Sequence, residues 1–242
     1  MKKTSWLDLN FPWVGGAAAL VLLVLLFGTD LLLGEPGSSP WHDRVWLAWM
    51  AMVAYLLHNV EEYGIDMFGR RRGFVTGINE ILKLPPEPDS PIPALYFTSV
   101  NVPLFWVGAP MAALLSAHHP LVGLAIYSVI LINALVHIVP LVVGRGYTSG
   151  TLTAIVLFVP LSVWVGHACF GAGRLTYQAM TLLIVLGVIF HIILLLPIQL
   201  FIRGKIGTRA LIGIQYVNAV LLFLIPWLAE KWRGGVLIGL ES

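Results

Sequence analysis

Apolar residues in this chain come in long unbroken runs, and seven of the runs are near the ~20 residues that cross a bilayer. They fall at about 14–33, 44–63, 93–116, 120–142, 151–168, 175–201 and 207–229. Helix is the expected conformation of each, because a backbone crossing lipid must satisfy its amides internally. The second run ends in Leu57-His58-Asn59-Val60-Glu61-Glu62-Tyr63. Ionisable groups cost about 2.5–3.5 kcal/mol each at mid-membrane and less near the interface, so three together point to a use. His58 and Glu61 are spaced i,i+3, and His58 and Glu62 i,i+4. Both carboxylates are therefore expected within one turn of the imidazole on a broad helix face.

Loop charge predicts the orientation. With the N-terminus inside, the inner side holds Lys2, Lys3, Arg70, Arg71, Arg72, Lys83, Arg145, Arg203, Lys205 and Arg209, against Arg44, Arg174, Lys231 and Arg233 outside. Trp6, Trp13, Trp41, Trp46, Trp227 and Trp232 lie near span ends, as interfacial aromatics do. Counted inward from that basic side at ~1.5 Å per residue, the remaining polar residues share one depth. His58, Glu61 and Glu62 are on the second span, Asn101 on the third, and Asn133 and His137 on the fourth. Tyr147, Thr148 and Ser149 lie just below the fifth, His191 is on the sixth, and Gln215 and Asn218 are on the seventh. The expectation is one polar pocket facing the cytoplasmic leaflet. Asn101, Gln215 and Asn218 also read as interhelical hydrogen bonds, and His42, His118, His119 and His167 as interfacial or loop residues.

Composition supports a polytopic membrane protein without a soluble module. Only 11% of the 242 residues are charged, where a soluble domain is nearer ~25%. No basic patch with interleaved aromatics suggests nucleic-acid binding. The single cysteine, Cys169, excludes an internal disulfide and a multi-Cys metal site. Met1-Lys2-Lys3 and the run Val14 to Leu33 have the length of a retained span, and no Ala-x-Ala site closes them. The longest connection, Gly64 to Pro91, is basic at its start and proline-rich at its end, with one or two amphipathic turns expected over Asn79 to Leu84. It reads as a solvated loop at the lipid headgroups or as a lid. No internal repeat of inverted halves is visible, which lowers a transporter reading.

Imidazoles and a carboxylate at one depth form a sensible donor set for Zn²⁺ or non-haem Fe²⁺. The expected ligands are His58, Glu62, His137 and His191. Glu61 is then a general base or a support for His58, and Asn133 holds the far nitrogen of His137. His58, Glu61, Glu62 and Asn133 are the expected catalytic residues. Zinc with a water would give hydrolysis, and iron with O₂ hydroxylation or desaturation, of a lipid or other hydrophobic substrate. Two other readings stay open. A His/Glu acid–base set without metal would isomerise or cyclise an isoprenoid-like lipid. The same groups can relay protons or bind a cation in a transporter.

His58-Asn-Val-Glu61-Glu62 resembles the His-x-x-Glu-Glu signature of the HXXEE family of integral membrane proteins. Asn133-Ala-Leu-Val-His137 is similar to that family's Asn-x-x-x-His element. Arg145-Gly-Tyr147-Thr-Ser149-Gly150 resembles its Arg-x-Tyr-x-Pro-Gly segment, with Ser149 where proline is expected. The resemblance covers roughly 44–200. It implies a membrane setting and the importance of these residues, and no particular reaction. Placement of His and Glu on several helices is also similar to membrane metal hydrolases of the ceramidase and prenyl-protease kinds, although Asp66 stands where a Glu-Glu-x-x-x-Arg run would need its arginine. The expected organisation is one all-α transmembrane domain over 1–242, N-in and C-out. It comprises an N-terminal span and outer loop (1–43), an HXXEE-like core (44–200) and a C-terminal span (201–242). The expected location is a bacterial inner (plasma) membrane.

Overall fold

A computed structural model describes residues 4–239, and the described residues are all α, with no strand among them. The first helix, α1, runs Trp6–Gly28. It starts earlier than hydropathy predicts because Ser5 and Asp8 form a reciprocal cap: Asp8 N–H donates to Ser5 Oγ (3.1 Å) and Ser5 N–H to Asp8 Oδ2 (2.8 Å). Asp8 is nevertheless buried and accepts from Thr98 Oγ1 at 2.7 Å, so the polar start of α1 is packed against the third span. The second span is α2, Arg44–Asn59, extended by a wide π turn, Val60–Gly64. A short helix α3, Gly73–Ile81, occupies the long connection where only a turn or two was expected further on.

The third span consists of α4 (Ala94–Asn101), a π turn (Val102–Gly108) and α5 (Ala109–Leu115). Helix α6, Pro120–Val142, is the fourth span. The fifth joins a single turn α7 (Thr151–Thr153), a π turn (Ala154–Phe158) and α8 (Val159–Cys169). Helices α9 (Tyr177–Ile202) and α10 (Thr208–Ile238) complete the bundle. Prolines mark two of the π turns, Pro103 within the first and Pro160 just after the other, and their rings cannot enter the regular i→i−4 ladder. Six of these spans are long and apolar enough to cross a membrane, and α2 with its π turn makes a shorter seventh.

Helix α2 is the axis of the bundle. Its residues are mostly buried, whereas α1 and α9 leave most of theirs at the periphery. It packs on α1, α5 and α6, while α9 packs on α6 and α10. Polar ties hold this arrangement, as expected where lipid offers no competing partner. Trp46 Nε1 donates to Leu26 O (3.0 Å) and Tyr127 Oη to Leu47 O (2.8 Å). Trp46 is thus buried, not an exposed interfacial aromatic, because its indole nitrogen is used between helices. Gln215 and Asn218 of α10 donate to Ile193 O (3.3 Å) and Phe190 O (3.1 Å) of α9. His119, expected as a loop residue, pairs with Glu230 at 2.9 Å, joining α6 to α10.

Asp43 starts α2. It accepts from Trp46 N–H (2.9 Å), Gly34 N–H (2.8 Å), Glu35 N–H (3.2 Å) and Ser38 Oγ (3.1 Å). Removing this cap leaves donors unpaired, so Asp43→Ala is expected to lower stability by about 1–2 kcal/mol. Thermal unfolding of the detergent-purified protein, followed by circular dichroism, checks it.

Candidate metal centre

The last turn of α2 and the π turn after it carry the His-x-x-Glu-Glu run. The π turn closes with Ile65 N–H on Val60 O at 2.8 Å, and such bulges recur at functional sites. Its wider winding separates the two adjacent carboxylates: Glu62 meets α6, and Glu61 meets the start of the fifth span. His58, Glu62 and His137 are all buried, at 0%, 2% and 1% exposure. Glu62 Oε1 lies 3.4 Å from His58 Nε2 and 3.1 Å from His137 Nε2. Their donor atoms all fall within 4.8 Å of one another. His58 Nε2 is buried without a hydrogen-bond partner.

A second set of groups, all from Tyr147 to Thr153, surrounds the outer edge of the two rings. His58 Nδ1 lies 2.7 Å from Thr153 Oγ1, and His137 Nδ1 lies 3.1 Å from Thr148 Oγ1. Thr148 Oγ1 is in turn 3.0 Å from Thr151 Oγ1. Glu61 accepts from Thr153 N–H (2.7 Å), Leu152 N–H (3.0 Å), Thr153 Oγ1 and Tyr147 Oη. Gly150, at φ +105°, passes directly over both imidazoles; a Cβ there would stand 2.6 Å from His137 Cε1 and 2.7 Å from His58 Cε1. The walls are aromatic, with Phe158 centred 4.4 Å from the His58 ring and Phe74 6.0 Å from that of His137.

Two loops fasten over this end of the bundle. Asp66 accepts from Arg70 Nε (2.7 Å), Arg70 N–H (2.9 Å), Phe68 N–H (2.9 Å) and Ser149 Oγ (2.8 Å). Burial pushes the Asp66 carboxyl up, but the bonds from Ser149 and Arg70 outweigh it and hold the group below its ordinary range. Tyr147 stacks edge-on against Phe68 at 4.9 Å and lies under the Arg70 guanidinium at 5.3 Å. Burial, and then its bond to Glu61, push the Tyr147 phenol up, so its hydroxyl keeps its proton.

Three of the expected ligands therefore meet, and three other expectations are corrected. His191 does not join the cluster among the described residues. It is on α9, which packs on α6 and α10; Gly187, one turn earlier, is so close to α6 that a Cβ would strike the Ser128 carbonyl. His191 Nδ1 donates to Gly187 O at 2.8 Å, and its buried Nε2 has no partner. Asn133 does not hold His137: its Nδ2 donates to Tyr55 Oη at 3.2 Å, and Thr148 takes the place beside the ring. Glu61 is no free base, because four donors fill the roughly four lone-pair directions of a carboxylate. His58, Glu62 and His137 thus form one tight group, while Gln215 and Asn218 tie α10 to α9. Thr151 and Thr153 were not legible as site residues, since hydroxyls at a span's start look like an ordinary helix beginning.

Residues 49–165 match the model of a family described as protein of unknown function with HXXEE motif. The match takes in every residue of the cluster and the Tyr147–Thr153 segment, and stops short of His191. No curated protein and no solved structure matches the chain.

Two outcomes follow from this geometry. Gly150→Ala is expected to destabilise by about 1–3 kcal/mol through its left-handed backbone, with an added loss from the clash with both rings. Gly144→Ala, at φ +78° with open space around it, carries the backbone part alone, so the difference between their melting temperatures isolates the clash. Asp66 is held below its unfolded-state value of ~3.9. Its contribution to stability is therefore present above that pH and fades as the pH falls through and below it. The melting-temperature gap between wild type and Asp66→Asn should be wide at pH 7 and shrink at pH 4 and below.

Proposed function

We propose that this protein is a metal-dependent membrane enzyme, with His58, Glu62 and His137 holding the ion and a lipid or other hydrophobic molecule as substrate. One observation carries the reading: His58 Nε2 is buried, has no donor, and faces an acceptor-only carboxylate oxygen at 3.4 Å. With the His58 ring proton on Nδ1, beside Thr153 Oγ1, two lone pairs face each other across the gap and call for a cation between them, a metal ion or a shared proton. The spacing suits a metal ion. Donors held at ~2.0–2.1 Å around a tetrahedral centre lie roughly 3.3 Å apart, and the two separations from Glu62 are 3.1 and 3.4 Å.

Two imidazoles and one carboxylate with open positions suit Zn²⁺ or non-haem Fe²⁺. When bound, such an ion supplies either a water acidic enough to act near neutral pH or a site for O₂ chemistry, giving a hydrolase or an oxygenase. The chain's own residues supply the rest. Thr153 and Thr148 hold the far nitrogens of the two rings. Phe158 and Phe74 keep the surroundings apolar, which favours a hydrophobic substrate and strengthens every polar contact in the gap. The cluster lies toward the end of the bundle that carries Arg70, Arg71, Arg72, Arg145, Arg203 and Lys205. By the charge rule this is the cytoplasmic side, so substrate reaches the site from the inner leaflet. His191 lies outside this three-residue set.

Elemental analysis of protein purified from zinc- and iron-supplemented cells tests this. Expected is about one ion per chain in wild type and in His191→Ala, and a fall of tenfold or more in His58→Ala and His137→Ala, each checked for helicity and monodispersity. Metal-free wild type that also fails to take up zinc or iron would overturn the proposal. The proton-sharing, metal-free acid–base reading would then account for the cluster.

A further inference from the structure

We infer that Glu61 and Thr153 are positioning residues that lock the proton of His58 onto Nδ1, so that Nε2 always presents a lone pair to the gap. The inference deepens the metal reading but stands on hydrogen-bond geometry alone. Thr153 Oγ1 has one hydrogen and three neighbours that bear on it. Glu61 Oε2 is the shortest, Gly150 O is at 3.2 Å, and His58 Nδ1 is at 2.7 Å. The first two can only accept.

Glu61 is fixed independently of the threonine hydroxyl, by Tyr147 Oη and the amides of Leu152 and Thr153. With donors already aimed at both of its oxygens, Glu61 serves the threonine hydroxyl as an acceptor. If Thr153 turned its hydrogen to His58, an oxygen lone pair would press against the carboxylate at its shortest contact. The hydrogen therefore belongs to Glu61, and the ring must donate from Nδ1. That fixes one tautomer and leaves Nε2 bare, matching its lack of any partner.

His137 is held differently. Thr148 Oγ1, 3.1 Å from its Nδ1, can give its hydrogen either to that ring or to Thr151 Oγ1 at 3.0 Å. Thr151 is free to accept because it donates to Thr148 O at 2.6 Å. His137 can thus carry its proton on Nε2, donating to Glu62 at 3.1 Å, or on Nδ1. One ring is locked and the other adjustable. The two neighbouring glutamates divide the work: Glu62 faces the gap, and Glu61 acts through Thr153.

Nitrogen-15 NMR of histidine-labelled, metal-stripped protein in detergent micelles tests this, with the His58 signals assigned by their loss in His58→Gln. Expected in wild type is a His58 ring protonated at Nδ1 and bare at Nε2. Thr153→Val removes the acceptor. Glu61→Gln puts a neutral, weaker acceptor or, with the amide turned, a donor where Thr153 now donates, and so loosens the hold on the hydroxyl hydrogen. Both should move His58 toward the Nε2–H form, and Thr153→Ser should keep the wild-type pattern. Zinc affinity should fall about 10–100-fold in Thr153→Val and recover in Thr153→Ser. A wild-type ring protonated at Nε2, or one unmoved in both Thr153→Val and Glu61→Gln, would overturn the inference. An Nδ1–H ring in a protein that never binds zinc would uphold it and bring down the metal reading instead.

Discussion

The structure turns on one buried carboxylate, Glu62, set between two imidazoles. A charge in a low-dielectric interior is tolerated only where it is paired, and here the pairing joins distant parts of the chain. Glu62 and His137 are 75 residues apart. Helix α2 has to lie against α6, and the start of the fifth span has to cover them both, before that carboxylate is shielded. The burial of α2 is then a requirement of its chemistry as much as a result of packing.

The π turn at Val60–Gly64 makes this possible. In a regular helix Glu61 and Glu62 point about 100° apart and would compete for space beside His58. The wider turn lets one reach α6 and the other reach the backbone amides of Leu152 and Thr153. A second π turn, Ala154–Phe158, follows directly after Thr153 and sets Phe158 against the His58 ring. Irregular backbone inside a membrane span survives only where protein surrounds it, and both turns are found where the spans pack on each other.

Much of this was legible in the sequence. Seven spans follow from hydropathy, and the i,i+4 spacing of His58 and Glu62 marks the site. His137 follows from its depth and from the Asn-x-x-x-His element. The start of α1 was obscured because Asp8 is polar yet buried. His191 falls outside the tight set although α9 packs on the helix that carries His137, and its Nδ1 bonds to Gly187 O within its own helix. Asn133 was given a role beside His137 from i,i+4 spacing alone, but its amide turns to Tyr55 on α2. The threonines were the largest omission. A hydroxyl serves as cap, turn or relay with equal ease, and only the meeting of Thr153, Glu61 and His58 decides among these uses.

The separation of Glu62 from His137 along the chain bears on biogenesis. The two carboxylates of the π turn leave the ribosome well before the imidazole and hydroxyls that will receive them. Until the fourth and fifth spans follow, they stand at the end of a helix beside Arg70, Arg71 and Arg72, where water and headgroups can solvate them. The site cannot close before the fourth span and the start of the fifth have been made. A chain truncated before Thr153 would leave Glu61 without the two backbone amides and the hydroxyl that now receive it.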